Sequence, residues 1–242
     1  MYTKKGGRKL MDLIANEGKN LEINVNGKTY LRRAIKTRFI RQGEDYIEIV
    51  KEYAKPIYEE GDIISISEKI IALCQNRIIK REDIKIGALA KFLSRFASHP
   101  DTGVGVGETI KMQYAIDSVG PLKVLWASFA SAITKLFGKK GVFYEIVGEE
   151  VSGLDGFYDH VWAEYRDIGI MLPENPKAVC NEIKEKLNIS CMIVDANDLG
   201  QEILGYSDDI NLSVEELKGL IKDNPSGQDH ELTPMILIRG KK

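Results

Sequence analysis

At 242 residues, with 43% hydrophobic and 29% charged residues, the chain can bury a substantial core, which excludes a disordered or fibrous protein. Its net charge of −2 gives no general attraction for nucleic acid or for an acidic membrane. Cys74, Cys180 and Cys191 are odd in number and lack a CxxC pair, which argues against a disulfide framework or a structural zinc site and for free thiols in a reducing cytoplasm.

The first residues, Met1 to Lys19, lack the continuous apolar core of a signal peptide. The most apolar stretch, Val124 to Ile133, is about half the length of a spanning helix. A cytoplasmic protein without a membrane partner is expected. Charge is unevenly placed: Met1 to Arg41 holds eleven Lys or Arg against three Asp or Glu. A solvated basic hairpin and a positive rim for an anionic substrate both fit that excess.

In chain order, Leu21 to Val25 and Lys28 to Arg33 flank Asn26-Gly27, a strong hairpin signal. An extended stretch follows over Ala34 to Ile40, then a short helix within Glu44 to Tyr53, then a strand at Ile63 to Ser67. Leu89 to Phe96, Ile110 to Ile116 and Leu122 to Phe137 have helical spacing, punctuated by Gly87, Gly120 and Gly138. Val142 to Val147 reads as a strand. The later part alternates: strand at Ile168 to Leu172, helix at Pro176 to Leu187, strand at Cys191 to Val194. A capping box at Ser213 to Glu216 opens another helix, and Met235 to Arg239 is the last strand. The expected fold is α/β or α+β with a mixed sheet flanked by helices, in one main domain over 34–242 after a basic N-terminal hairpin or extension over 1–33.

Four stretches could carry chemistry. Gly103, Gly105 and Gly107, before Glu108 and a helix, let backbone approach an anion, although neither a dinucleotide fingerprint nor a P-loop is complete. A flexible turn and a phosphate cradle with Glu108 near a metal are both compatible. Asp155, between glycines 153 and 156, is a possible oxygen ligand for a divalent ion and equally a residue for a tight turn. Asp195, Asn197 and Asp198 follow an apolar strand, at the carboxyl end of a sheet where open α/β folds bind ligands. The polar stretch Asp223 to Pro234 offers Asn224, Gln228 and Glu231 for substrate recognition, or is an ordinary loop. No nucleophilic triad and no aromatic-basic nucleic-acid stripe is visible, so no catalytic nucleophile is assigned.

Two stretches carry a family resemblance. Ile35-Lys-Thr-Arg-Phe-Ile-Arg-Gln-Gly43, followed by Gly61-Asp-Ile-Ile-Ser-Ile-Ser67-Glu-Lys69, resembles the opening of coenzyme F420-0:gamma-glutamyl ligases, and Leu172-Pro-Glu-Asn-Pro176 resembles a later segment of theirs. The resemblance implies a mixed α/β ligase fold over 34–242, usually a homodimer. It implies GTP, or ATP, as co-substrate with Mg2+ or Mn2+, and amide formation between a small-molecule carboxylate and an amino acid through an acyl phosphate. By position it assigns Asp155 and one of Asp195, Asn197 and Asp198 to metal, and Lys69 and Arg77 to the nucleotide. The chain departs from the family where Gln75-Asn76-Arg77 replaces Glu-Gly-Arg and where Gly200-Gln201 follows Asp198 without the family's arginines. The alternative is a non-catalytic nucleotide- or metal-binding protein on the same fold.

Overall fold

Asn26 and Gly27 take left-handed φ values of 50° and 77°, the conformation that folds one strand back on the next in a two-residue hairpin. The computed structural model describes residues 15–97, 106–157, 165–196, 200–227 and 231–241. Along them run β1 (Glu22–Val25), β2 (Lys28–Ile35), α1 (Tyr46–Tyr53), β3 (Ile63–Ser67), α2 (Glu68–Cys74) and β4 (Ile78–Lys80). Next come α3 (Ala88–Ser94), α4 (Thr109–Val119), α5 (Pro121–Leu136), α6 (Val142–Val147), α7 (Glu149–Ser152) and β5 (Asp155–Gly156). The series closes with β6 (Ile168–Ile170), α8 (Pro176–Leu187), β7 (Cys191–Ala196), β8 (Gln201–Tyr206), α9 (Val214–Leu220) and β9 (Met235–Gly240). They form two compact units, one of residues 1–75 with 173–242 and one of residues 76–172.

The first unit is built on a sheet of order β1-β2-β9-β3-β7-β8. β3 and β7 are parallel and the other neighbours antiparallel, so the sheet is mixed, as the sequence led us to expect. Side chains alternate across it. Ile63, Met192, Val194, Ile236 and Ile238 pack with Leu217 and Leu220 of α9 on one face. Ile64, Ile66, Ile193 and Leu237 are buried at the alternating positions, and α2 and α8 pack against β3, β7 and β8. Local signals explain the helices. Asp45 caps α1 by accepting from Ile47 N at 2.8 Å, and Ser213 and Glu216 close the expected capping box of α9. Pro176 opens α8, whose first turn presses against β8 so closely that a Cβ on Gly205 would sit 2.5 Å from Lys177 N.

The second unit carries a small sheet of order β4-β6-β5 and the helices α3 to α7 around a core that includes Ile110, Val124, Phe143, Val151 and Phe157. Val142 to Val147, expected as a strand, is the helix α6. Val142, Phe143 and Val147 are its buried residues, a set that falls on one side of a helix but on both sides of a strand. Gly141 and Gly148, at φ 85° and 102°, fix its ends. No described helix is long and apolar enough to cross a membrane, and all three cysteines are free.

A buried ion pair ties the hairpin to α9. Arg32 on β2 is 1% exposed and binds Asp223 through both guanidinium nitrogens, one of them at 2.7 Å from Oδ2. Its Nη1 also donates to Leu220 O at 3.1 Å, and Nη2 to Asn20 O at 2.5 Å. Burial opposes ionisation of Asp223, but the hydrogen bonds and charge of Arg32 outweigh it and hold the carboxyl at about 2. A depressed carboxyl pKa stabilises the fold above the ordinary range near 4, and that contribution is lost as pH falls from about 4 to 2. Asp223→Ala, which leaves Arg32 buried without its partner, is expected to cost about 3 kcal/mol at neutral pH. Urea unfolding at falling pH should show the wild type converging on the variant; parallel acid profiles would rule this account out.

Candidate functional site

In the first unit, β3 and β7 are the parallel pair among the described strands, and Ser67 lies in register with Val194. Both strands therefore end at one edge. β3 runs directly into Glu68 and Lys69 of α2, and β7 into Asp195. This is the carboxyl edge at which open α/β sheets receive ligands. Lys69 stands in the first turn of α2, where free backbone amides disfavour a cation, so helix stability does not account for it. Glu68 is buried beside it. Asp195 is half-buried and lies directly across from Glu202 on β8. Two carboxylates in such a pair repel unless positive charge offsets them. Glu202 escaped sequence reasoning because only the β7–β8 register brings it there.

The chain preceding β9 reaches the same edge, since Ser67 N donates to Pro234 O at 2.8 Å and Thr37 N to Leu232 O at 2.9 Å. Of the residues assigned to substrate, Asn224 is fully buried, with φ 47°, and its amide donates to Gly227 O at 3.1 Å. Asn16 braces this stretch through Pro225 O and the Thr233 hydroxyl, at 2.9 and 2.8 Å. Glu231 lies with its carboxylate against Gly227. Gln228 falls outside the described residues, as do Asn197 and Asp198.

Gln75, where the resembling family has glutamate, is a two-way clamp. Its Nε2 donates to Glu174 O at 2.9 Å and its Oε1 accepts from Glu174 N at 2.7 Å. Only an amide can make both bonds, because a carboxylate has no donor.

The second unit holds Asp155 at the start of β5, where Oδ1 accepts from Gly156 N at 2.9 Å. Gly156 has φ 100°, and a Cβ there would meet Ile168 O at 2.4 Å, so this turn requires glycine. Behind the turn, the buried Lys111 donates to Ser152 O at 3.2 Å and Leu154 O at 2.7 Å. Burial pushes its ammonium down to about 8, while the negative charge of Asp155 works against that shift. Arg77 donates from Nε to Leu172 O at 3.1 Å and lies 3.7 Å from Glu150. Gly107 is buried just before α4, and Gly103 and Gly105 fall outside the described residues.

Among the described residues, no three His, Cys, Asp or Glu side chains gather as a metal cage. Asp155 already has the Lys111 ammonium within electrostatic reach. The described residues therefore do not by themselves compose the divalent-ion site that the resemblance implies.

Residues 34–121 match the family model described as F420-0:Gamma-glutamyl ligase. The chain is also 26% identical over 186 residues to the uncharacterized protein MJ1361 of Methanocaldococcus jannaschii, covering 71% of this chain and 59% of that protein. The chain thus spans about 59% of the length of the curated relative. The matched segment contains β3, α2 and Lys69 and so the first of the two stretches that carry the sequence resemblance; residues 172–176, the second, lie outside it. Similarity to the F420-0:gamma-glutamyl ligase family is thus found over residues 34–121 of the chain.

Proposed function

We propose that the protein is a nucleotide-dependent amide ligase that joins a small-molecule carboxylate to the amine of an amino acid. The observation that carries this reading is the shared carboxyl edge of β3 and β7, where Lys69, from the family-matched segment, and Asp195 both emerge. A carboxylate is a poor electrophile because its charge is delocalised and oxide is a poor leaving group. Attack of its oxygen on the γ-phosphorus of GTP or ATP expels the nucleoside diphosphate and forms an acyl phosphate. The neutral amine then attacks the acyl carbon, phosphate leaves, and the amine loses a proton. Positioning and charge stabilisation supply most of the catalysis in such phosphoryl transfers. In this reading Lys69 offers positive charge to the phosphates, Arg77 braces its turn, and Glu231 faces the substrate. Asp155, Asp195 and Asp198 remain the carboxylates assigned to Mg2+ or Mn2+.

The test measures nucleotide-dependent phosphate release with panels of carboxylates and amino acids, with and without Mg2+ or Mn2+. Lys69→Ala is expected to lower the rate by about 100-fold, the scale of losing one preorganised charge-stabilising group. In parallel, a nucleotide that binds the native state must raise the unfolding temperature. The ligase reading fails if no nucleotide shifts that temperature and no phosphate is released.

A second reading, a non-catalytic nucleotide-binding protein, is favoured by one observation: Gln75 has become a backbone clamp where the family places glutamate. Gln75→Glu loses a donor and sets a carboxylate against Glu174 O, so it should cost about 1 kcal/mol, or roughly 2–4 °C in a chain of this size. Unchanged stability together with a gain of phosphate release would show that the clamp is dispensable and the glutamate's role recoverable.

A further inference from the structure

α5 packs on the core of the second unit through Val124 and Ala127, which are fully buried, and turns its large side chains outward. Leu122, Leu125, Trp126, Phe129, Ile133 and Leu136 are all exposed, Trp126 by 60%, Phe129 by 59% and Leu136 by 85%. At 3.6 residues per turn these six occupy an arc of about 100°. Two lysines flank this outer seam and are exposed as well. Lys123 stands about 60° beyond Trp126 on one side, and Lys135 about 80° beyond Leu125 on the other. The rings of Trp126 and Phe129 lie 6.1 Å apart between them. Phe137, also exposed, follows the helix end, and Lys139 and Lys140 come directly after it.

Charge selects what covers this face. From Ser118 to Tyr144 the chain holds four lysines and no Asp or Glu. The whole-chain charge of −2, from which no membrane partner is expected, averages this local excess away. Lys139 lies 2.9 Å from Glu145, but both side chains are more than half exposed, and such a contact contributes too little to hold the lysine from another anion. A second copy of α5 laid along the seam, in either direction, would bring lysine against lysine. An anionic lipid surface meets both features at once. Its acyl-headgroup boundary takes up leucine and aromatic side chains, while flanking lysines lay their apolar stems along that boundary and carry their charge to the phosphates. At 16 residues, about 24 Å, α5 is shorter than the roughly 30 Å hydrocarbon core, so it fits the plane of the surface rather than a span.

We propose that α5 is a membrane-surface anchor, its outer face seated in the headgroup boundary of an anionic phospholipid bilayer with Trp126 and Phe129 at the centre of the contact. Lys123, Lys135 and Lys140 give the contact its preference for acidic headgroups. The inference is independent of the ligase reading.

The test is co-sedimentation of the full chain with vesicles of phosphatidylcholine alone and of phosphatidylcholine mixed with phosphatidylserine. The wild type is expected to pellet with the mixed vesicles, less with phosphatidylcholine alone, and less again as salt is added. The double variant Trp126→Glu, Phe129→Glu should stay in solution with unchanged circular dichroism, since both side chains face solvent. No pelleting of the wild type with either vesicle overturns the proposal, as does pelleting that persists in the folded double variant. So does a wild-type dimer that the double variant dissociates without any vesicle binding, which assigns the face to a second copy. Should the double variant fail to fold, the variant Lys123→Gln, Lys135→Gln, Lys140→Gln decides. Roughly 100-fold weaker binding to the mixed vesicles sustains the anchor, and unchanged binding overturns it.

Discussion

The first unit depends on β9 filling the slot between β2 and β3. Met235 to Ile238 are at most 2% exposed, so both faces of that strand are covered and both edges must be paired. A buried strand with an unpaired edge leaves backbone donors and acceptors without water or partner, at about 1–3 kcal/mol for each group. Ile35 lies opposite Met235, so the sheet closes only when sequence-distant ends of the chain meet. That closure is entropically tolerable because its cost grows only with the logarithm of the loop length. The family-matched segment is consequently not a self-sufficient structure. The neighbours of β3 are β7 and β9, and both lie beyond residue 121. The edge that carries Lys69 is completed by parts of the chain outside the family-matched segment.

This dependence explains what could be read in advance. Elements specified by neighbours in sequence were legible. Asn26-Gly27 marked its hairpin, Ser213 and Glu216 marked α9, and the apolar spacing from Pro176 marked α8. Elements specified by distant packing were not. β8, Gln-Glu-Ile-Leu-Gly-Tyr, has no clear alternation, and its Gly205 reflects the close approach of α8. Val142 to Val147 has the composition of a strand, yet a helix lets its apolar residues meet α5. Strand order had no local signature at all. For the candidate site, Asp195 stood out because it follows an apolar run, whereas Glu202 opposite it depends on register. Gln75 could be recognised as a departure, but the bidentate hold on Glu174 that gives the amide a purpose belongs to the folded chain.

Asp155 shows why a list of carboxylates is an incomplete account of a metal site. Its turn is held from behind by Lys111, on a helix stretch in which Ile110 to Ala115 are all buried. A buried ammonium near a carboxylate stabilises the ionised carboxylate and at the same time reduces the negative potential available to any added cation. Lys111 thus sets a positive charge against any cation brought to Asp155. Any ion taken up at Asp155 must therefore draw on further oxygen ligands to overcome the positive charge of Lys111.

α5 extends the same reasoning to the surface. A helix shaped only by its own core places large side chains inward and small or polar ones outward. Here the inward residues are Val124 and Ala127, while Trp126, Phe129 and Leu136 face solvent. Small inward residues let the helix lie close to α4 and α6, and that fixes the direction of the outer seam. An apolar seam left in water carries a continuing hydration cost with no return from folding of the single chain. The inversion of large and small residues on α5 therefore does not follow from the packing of this unit's described core.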